Sequence, residues 1–309
     1  MKKGLLRFCA AVLLVLSSVT VIDVALGKTL DWMMPQVSNQ ADFGRTFYSL
    51  YGVSDSIVVV GLSRAVHQYV SQIIEDSLGL PTYNVGRDGC FFTYNCCVIN
   101  NILDRYSPKM IIWENGRNYL YDDIGDPVTT LYPYYGRNKW VTGAFEEELP
   151  WKEYVRLNSS CYRYNTMWQY LIVRFLRRKS FVEGNDKGYF ARAPRTTMTP
   201  LKLEKGEDES HSLSKTKTAR FSAILKRAQA QGVKMVVVDS PVYKILPPHT
   251  PSSDKMREIC RQYDAAFIDN SQMPCFHRHP EYFYDEFHLN AIGAPVYTKM
   301  FVGQIKTML

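Results

Sequence analysis

The chain is short of several things. It has no zinc-type Cys-x-x-Cys pair among its seven cysteines. Glycine (18) and proline (15) are too sparse in 309 residues for a collagen-like or Pro/Gly-rich disordered chain. No internal repeat period is visible, which sets aside solenoids and propellers. No basic run is interleaved with aromatics, so a nucleic-acid groove is not expected. Only one long apolar run is present, at the N-terminus.

What is there is enough for one large or two small cores: 46% hydrophobic residues, 13% of all residues aromatic. The formal net charge of +7 is mildly basic and reads first as a solvated surface, with an anionic membrane surface or acidic polymer as the other reading.

Lys2, Lys3 and Arg7 precede the apolar run Phe8–Ile22, and only Lys28 closely follows it. The run lies between the length of a signal-peptide core and that of a spanning helix. Ala25-Leu26-Gly27 has the small-x-small form of a cleavage site, whereas Leu5–Leu26 approaches the length of a span. We expect residues 1–27 to be an uncleaved anchor or a signal peptide and residues 28–53 a tether. The bias of basic residues puts the N-terminus in the cytoplasm and residues 28–309 outside, so a membrane is an expected partner. Export permits disulfides. Closing a loop between Cys260 and Cys275 would contribute about 3 kcal/mol, although spacing does not determine the pairing.

Beyond residue 53 the pattern alternates. Uniformly apolar runs at 56–61, 81–86, 109–114, 233–239 and 265–269 read as buried strands. Helical spacing fits 63–78, a segment through Ile99 and Leu103, 221–231, 254–263 and 291–308. Uniformly apolar strands alternating with helices imply a parallel α/β sheet covered on both faces. Residues 120–220 interrupt the rhythm. They hold a Tyr/Trp-rich part, a helix over 159–178 with Ser159 as its cap, and a polar stretch from Lys179 to Lys217 read as a long, mobile loop. The aromatics either pack this insertion onto the core or line a sugar-binding surface.

Open parallel sheets bind ligands at the carboxyl ends of their strands. Gly61-Leu62-Ser63-Arg64 follows the first strand and sets a hydroxyl at a strand-to-helix turn. Asn84-Val85-Gly86-Arg87-Asp88-Gly89 follows the second; its glycines permit close approach of a backbone N–H. Glu114-Asn115-Gly116-Arg117-Asn118 follows the third, and either Asn115 or Asn118 would offer an amide to an oxyanion. Asp285-Glu286-Phe287-His288 precedes the last helix, where a carboxylate three residues before an imidazole can orient it. A hydroxyl, oxyanion donors and an acid–base pair are the parts acyl transfer needs. His67, one turn after Ser63, is an alternative base. Cys275, His277, His279, Asp285 and His288 crowd one segment and make a metal site the sharpest rival.

These four blocks resemble those of the SGNH (GDSL-like) hydrolase superfamily over about residues 54–125 and 218–309. Gly61-Leu62-Ser63 stands where that family has Gly-Asp-Ser, so Leu62 departs from it. Tyr119 follows Asn118 where Asp is common. The resemblance implies one domain over 54–309 with an insertion at about 120–220. Its fold would be flavodoxin-like, with five parallel strands in the order 2-1-3-4-5. It also implies a metal-free, cofactor-free Ser63–His288–Asp285 triad, with an oxyanion hole from the amides of Ser63 and Gly89 and the Asn118 side chain. The Gly-x-Ser-Arg form resembles exported members acting on acyl groups, chiefly O-acetyl, of cell-surface polysaccharides. An O-acyltransferase would use the same parts, and a non-catalytic polysaccharide-binding or assembly protein would keep the fold.

Overall fold

The computed structural model describes residues 2–37, 42–122, 128–165, 167–177, 187–194, 202, 204–205 and 211–309. They form two compact units: Met1–Phe47 with Thr129–Val182, and Tyr48–Val128 with Glu183–Leu309.

The second unit holds a five-stranded parallel sheet. Its strands are β1 (Ile57–Val60), β2 (Thr82–Asn84), β3 (Met110–Glu114), β4 (Lys234–Asp239) and β5 (Ala266–Asp269). They lie in the order β2-β1-β3-β4-β5, as expected. Two-residue strands at Glu204–Lys205 and Lys244–Ile245 form a separate parallel pair that the sequence pattern did not announce. Every residue of β1 and β3 is buried, which is why both runs are apolar without alternation. Val59, Ile112, Val236 and Val238 share one large core cluster with Tyr297, Phe301 and Ile305 of the last helix, Gly293–Ile305.

The helix expected over 63–78 is instead two, Ser63–Gln68 and Ser71–Leu78, separated by extended residues Tyr69 and Val70. Tertiary partners take over the hydrogen bonds a continuous helix would have made. The Val70 amide donates to Thr298 Oγ1 (3.0 Å), and the Thr298 hydroxyl lies 3.0 Å from the Gln68 carbonyl. The break frees the Tyr69 side chain to reach Glu114.

In the first unit the N-terminal helix runs from Lys2 to Met33, so residues 28–53, expected as a tether, contain its end and a second helix, Asp42–Tyr51. The helix expected over 159–178 is divided into Ser160–Tyr164 and Met167–Leu176, with Ser159 capping the first through its hydroxyl and Asn165 in a non-helical conformation. Leu30, Met34, Val37, Tyr164 and Leu171 form a small core there. Of the polar stretch from Lys179 to Lys217, residues 179–186, 195–201, 203 and 206–210 lie outside the described residues. Cys260 and Cys275 are not bridged; burial pushes the Cys260 thiol up to about 12.

Candidate active site

Ser63 begins the short helix that follows β1. Gly61, between them, has φ +155°, and a Cβ there would lie 2.6 Å from the Glu114 carbonyl oxygen. The first block therefore needs glycine at 61 because β3 passes too close for a side chain. The second block is tied to the same turn. The Arg87 amide donates to Gly61 O (2.9 Å), and the buried Asn84 side chain donates to Ala65 O (2.6 Å) while accepting from the Gly86 amide (2.9 Å). A Cβ on Gly86 would meet Ala65 Cβ at 2.6 Å.

Across 225 positions of sequence, His288 Nε2 lies 2.6 Å from Ser63 Oγ. His288 Nδ1 lies 2.8 and 2.9 Å from the two oxygens of Asp285. An acceptor-only carboxylate facing Nδ1 assigns the ring proton to that nitrogen, which leaves Nε2 as the acceptor for the serine hydroxyl. Asp285 Oδ1 also accepts from the amides of Phe287 (2.8 Å) and His288 (2.9 Å), an Asx-type turn that holds the carboxylate against the ring. Burial alone would raise the Asp285 carboxyl, but the hydrogen bonds from the His288 ring and the two amides hold it below its ordinary 3.8. The turn is anchored at both ends by buried Phe283 and Leu289, which pair across an antiparallel bridge, and the Tyr284 amide donates to His288 O (2.8 Å).

His67, the alternative base, is turned elsewhere. Its Nδ1 donates to Phe190 O (2.7 Å), and its Nε2 lies 3.1 Å from Asp88 Oδ1. Its ring meets His288 edge-on, with centroids 5.9 Å apart. The two asparagines also separate. Asn115 is buried and turns its amide toward Met256 Sδ, whereas Asn118 is half-buried in the turn after β3; the Oδ1 of each lacks a hydrogen-bond partner among the described residues. Gly89 occupies an exposed turn after β2 with φ +65°, which explains glycine there on conformational grounds. In the segment read as a rival metal site, His277 Nε2 donates to Val242 O (3.0 Å), and His279 Nδ1 lies 2.7 Å from Glu281. No group of three or more metal-type side chains converges among the described residues.

One part of the site escaped sequence reasoning. Arg64, next to Ser63, turns its guanidinium into the protein. Its Nε lies 3.1 Å from Glu114 at the end of β3, and its Nη1 lies 2.6 Å from Asp239 at the end of β4. It also donates to the carbonyls of Ser240 (3.2 Å) and Asn115 (3.1 Å). Glu114 accepts in addition from the Tyr69 hydroxyl and the Ser240 amide. Burial, with Asp239 nearby, pushes the Glu114 carboxyl up to about 7 against the pull of Arg64, and burial raises Asp239 as well. This buried network clamps the turn that carries Ser63 onto two strand ends. A signal for it existed: acidic residues closing two otherwise apolar strands, and an arginine after the serine.

No family model matches the chain, and no curated protein matches it. Among solved structures, the lipase/acylhydrolase from Enterococcus faecalis is 10% identical, with 82% of this chain and 96% of that one covered and a TM-score of 0.40. The psychrotrophic esterase EstA from Pseudoalteromonas sp., in a structure inhibited by monoethylphosphonate, is 11% identical over 82% and 97%, with a TM-score of 0.42. TesA is 12% identical over 82% and 99%, with a TM-score of 0.39. Likenesses of this size carry no weight for the chemistry of the site, which stands on the distances above.

Proposed function

We propose that this protein is an exported serine esterase that removes acyl groups, chiefly O-acetyl, from cell-surface or extracellular polysaccharide. The observation that carries the reading is the continuous Ser63–His288–Asp285 hydrogen-bond chain. His288 Nε2 takes the Ser63 proton as Oγ attacks the ester carbonyl. Asp285 holds the ring by Nδ1 and offsets the charge of the imidazolium. The amides of Ser63 and Gly89 and the side-chain amide of Asn118 bind the oxyanion of the tetrahedral intermediate. His288 then returns the proton to the leaving sugar oxygen. In the second half a water, deprotonated by His288, releases the acid and restores Ser63.

Export rests on the N-terminal helix, which is long and apolar enough to cross a membrane. With Lys2, Lys3 and Arg7 ahead of it, the chain beyond lies outside the cytoplasm. The test is acetate release from an O-acetylated polysaccharide by the full-length protein in detergent or nanodiscs. Release by the parent and none by Ser63→Ala is expected. Equal release by both would end the proposal. Acetyl groups recovered on a second sugar instead of in water would make it a transferase.

A further inference from the structure

Residues 187–192, near the returning end of the insertion, form a strap across the two turns that carry the triad. The Phe190 amide donates to Val66 O (3.1 Å), on the helix that Ser63 begins. The Ala291 amide, three positions past His288, donates to Arg192 O (2.8 Å). Gly188 lets the strap pass close to β2, since a Cβ there would lie 1.9 Å from Asn84 O. The strap also holds a ring. His67, buried and one turn after Ser63, gives Nδ1 to Phe190 O (2.7 Å) and turns Nε2 to the two oxygens of Asp88 (3.1 and 3.2 Å). A carbonyl and a carboxylate only accept, so the ring meets both with a proton on each nitrogen. So protonated, it has no lone pair with which to act as a base.

Asp88 is the residue before Gly89. The turn Arg87–Cys90 starts beside Ser63, where the Arg87 amide donates to Gly61 O (2.9 Å), and its own closing bond, from the Cys90 amide to Arg87 O, is long at 3.4 Å. Arg87 and Cys90 are buried, whereas Asp88 and Gly89 are exposed at the tip, and no atom lies within 4 Å of where a Gly89 Cβ would be. Gly89 has φ +65° and Asp88 does not have a positive φ, the pattern of a type II turn. In the type I alternative the peptide between these two residues is rotated by roughly half a turn, and the Gly89 N–H goes with it. Only one of the two orientations can serve a given oxyanion. A hold on Asp88 from outside the turn is therefore a hold on that amide. His67 supplies it from one side; Arg192, seated 4.9 Å from the centre of the Tyr284 ring, lies 4.0 Å from the same carboxylate.

We propose that His67 is a positioning residue for the oxyanion hole: through Asp88 it keeps the Gly89 amide turned toward the reacting carbonyl oxygen, and the strap fixes the ring that does so. The proposal rests on the triad and oxyanion hole proposed above, and it gives the returning end of the insertion a part in the reaction.

The test is steady-state hydrolysis of an aryl acetate by the full-length protein in detergent, with melting temperatures measured beside it. His67→Asn keeps an amide where Nδ1 meets Phe190 and withdraws the donor from Asp88, whereas His67→Gln keeps a donor at the reach of Nε2. Asp88→Ala removes the acceptor at a side chain that is 56% exposed, so the fold is not at stake. His67→Asn and Asp88→Ala are each expected to lower kcat about tenfold or more, with KM within about twofold of the parent. The double variant is expected to be no slower than either single one, and His67→Gln to recover most of the loss. Losses that multiply in the double variant, a double variant restored to the parent rate, a glutamine variant as slow as the asparagine one, or a raised KM with kcat unchanged overturn the inference. Parent-level turnover in Ser63→Ala removes the esterase reading and the inference together. Loss of turnover in Ser63→Ala beside parent-level kcat in Asp88→Ala ends the inference and leaves that reading standing.

Discussion

His288 Nε2 and Ser63 Oγ meet at 2.6 Å because two separately anchored turns face each other. One turn leaves β1 under the clamp of Arg64; the other is a bridged loop pinned by Phe283 and Leu289. With Nδ1 facing Asp285, Nε2 is left to accept the serine proton, the transfer on which the proposed mechanism depends.

Removing either member disables that transfer. Ser63→Ala and His288→Ala are each expected to lower aryl-acetate turnover by about 10³ or more, and Asp285→Asn by less. Purified full-length variants with unchanged melting temperature make the comparison. Retention of parent-level turnover in either alanine variant contradicts the assignment.

The two asparagines after β3 are expected to fail differently. On the proposed mechanism Asn118→Ala loses an oxyanion donor, so kcat is expected to drop by about 10²-fold or more while KM stays near the parent value. Asn115 is buried against Met256, and Asn115→Ala lowers the melting temperature first. Steady-state kinetics beside thermal melts separate the two, and a reversed pattern would assign the donor to Asn115.

Arg64 balances two buried carboxylates, so Arg64→Met strands them and is expected to destabilise the protein by about 3–5 kcal/mol. Adding Glu114→Gln and Asp239→Asn to that variant removes the stranded charges and recovers part of the loss. Denaturant titration measures both. No recovery in the triple variant would show that the network stabilises by shape and not by charge.

The same network sets a pH dependence. The Glu114 carboxyl sits at about 7 in the folded protein against an ordinary 4.5, because it is buried and near Asp239. Between those values the folded state holds a proton that the unfolded state has released. Its contribution is therefore complete below about 4.5 and declines as pH rises through about 7. Asp285 works in the opposite sense: held below 3.8, it contributes above that value and loses its share as pH falls. Melting temperatures from pH 5 to 8 are expected to decline less in Glu114→Gln than in the parent. Parallel slopes would remove Glu114 as the cause.

The sheet was legible because strands such as Ile57–Val60 and Met110–Glu114 are buried on both faces and so are written as unbroken apolar runs. The Asp285–His288 pair was legible because it is local: one turn brings the two together. What stayed hidden depends on distant partners. The break at Tyr69–Val70 answers to Thr298, 228 positions away. The Arg64 clamp requires knowing that the ends of β3 and β4 lie side by side, which only strand order and register reveal. Around the small-residue site at 25–27 Asp23 and Gly27 meet Ser160, a partner that helical periodicity at either place does not disclose.

The most direct test of the central claim is labelling of the full-length protein by an activated fluorophosphonate, read by peptide mass spectrometry. The account predicts one modified residue, Ser63, with labelling lost in Ser63→Ala and greatly slowed in His288→Ala. Equal labelling of parent and Ser63→Ala, or modification only at another residue, would contradict it.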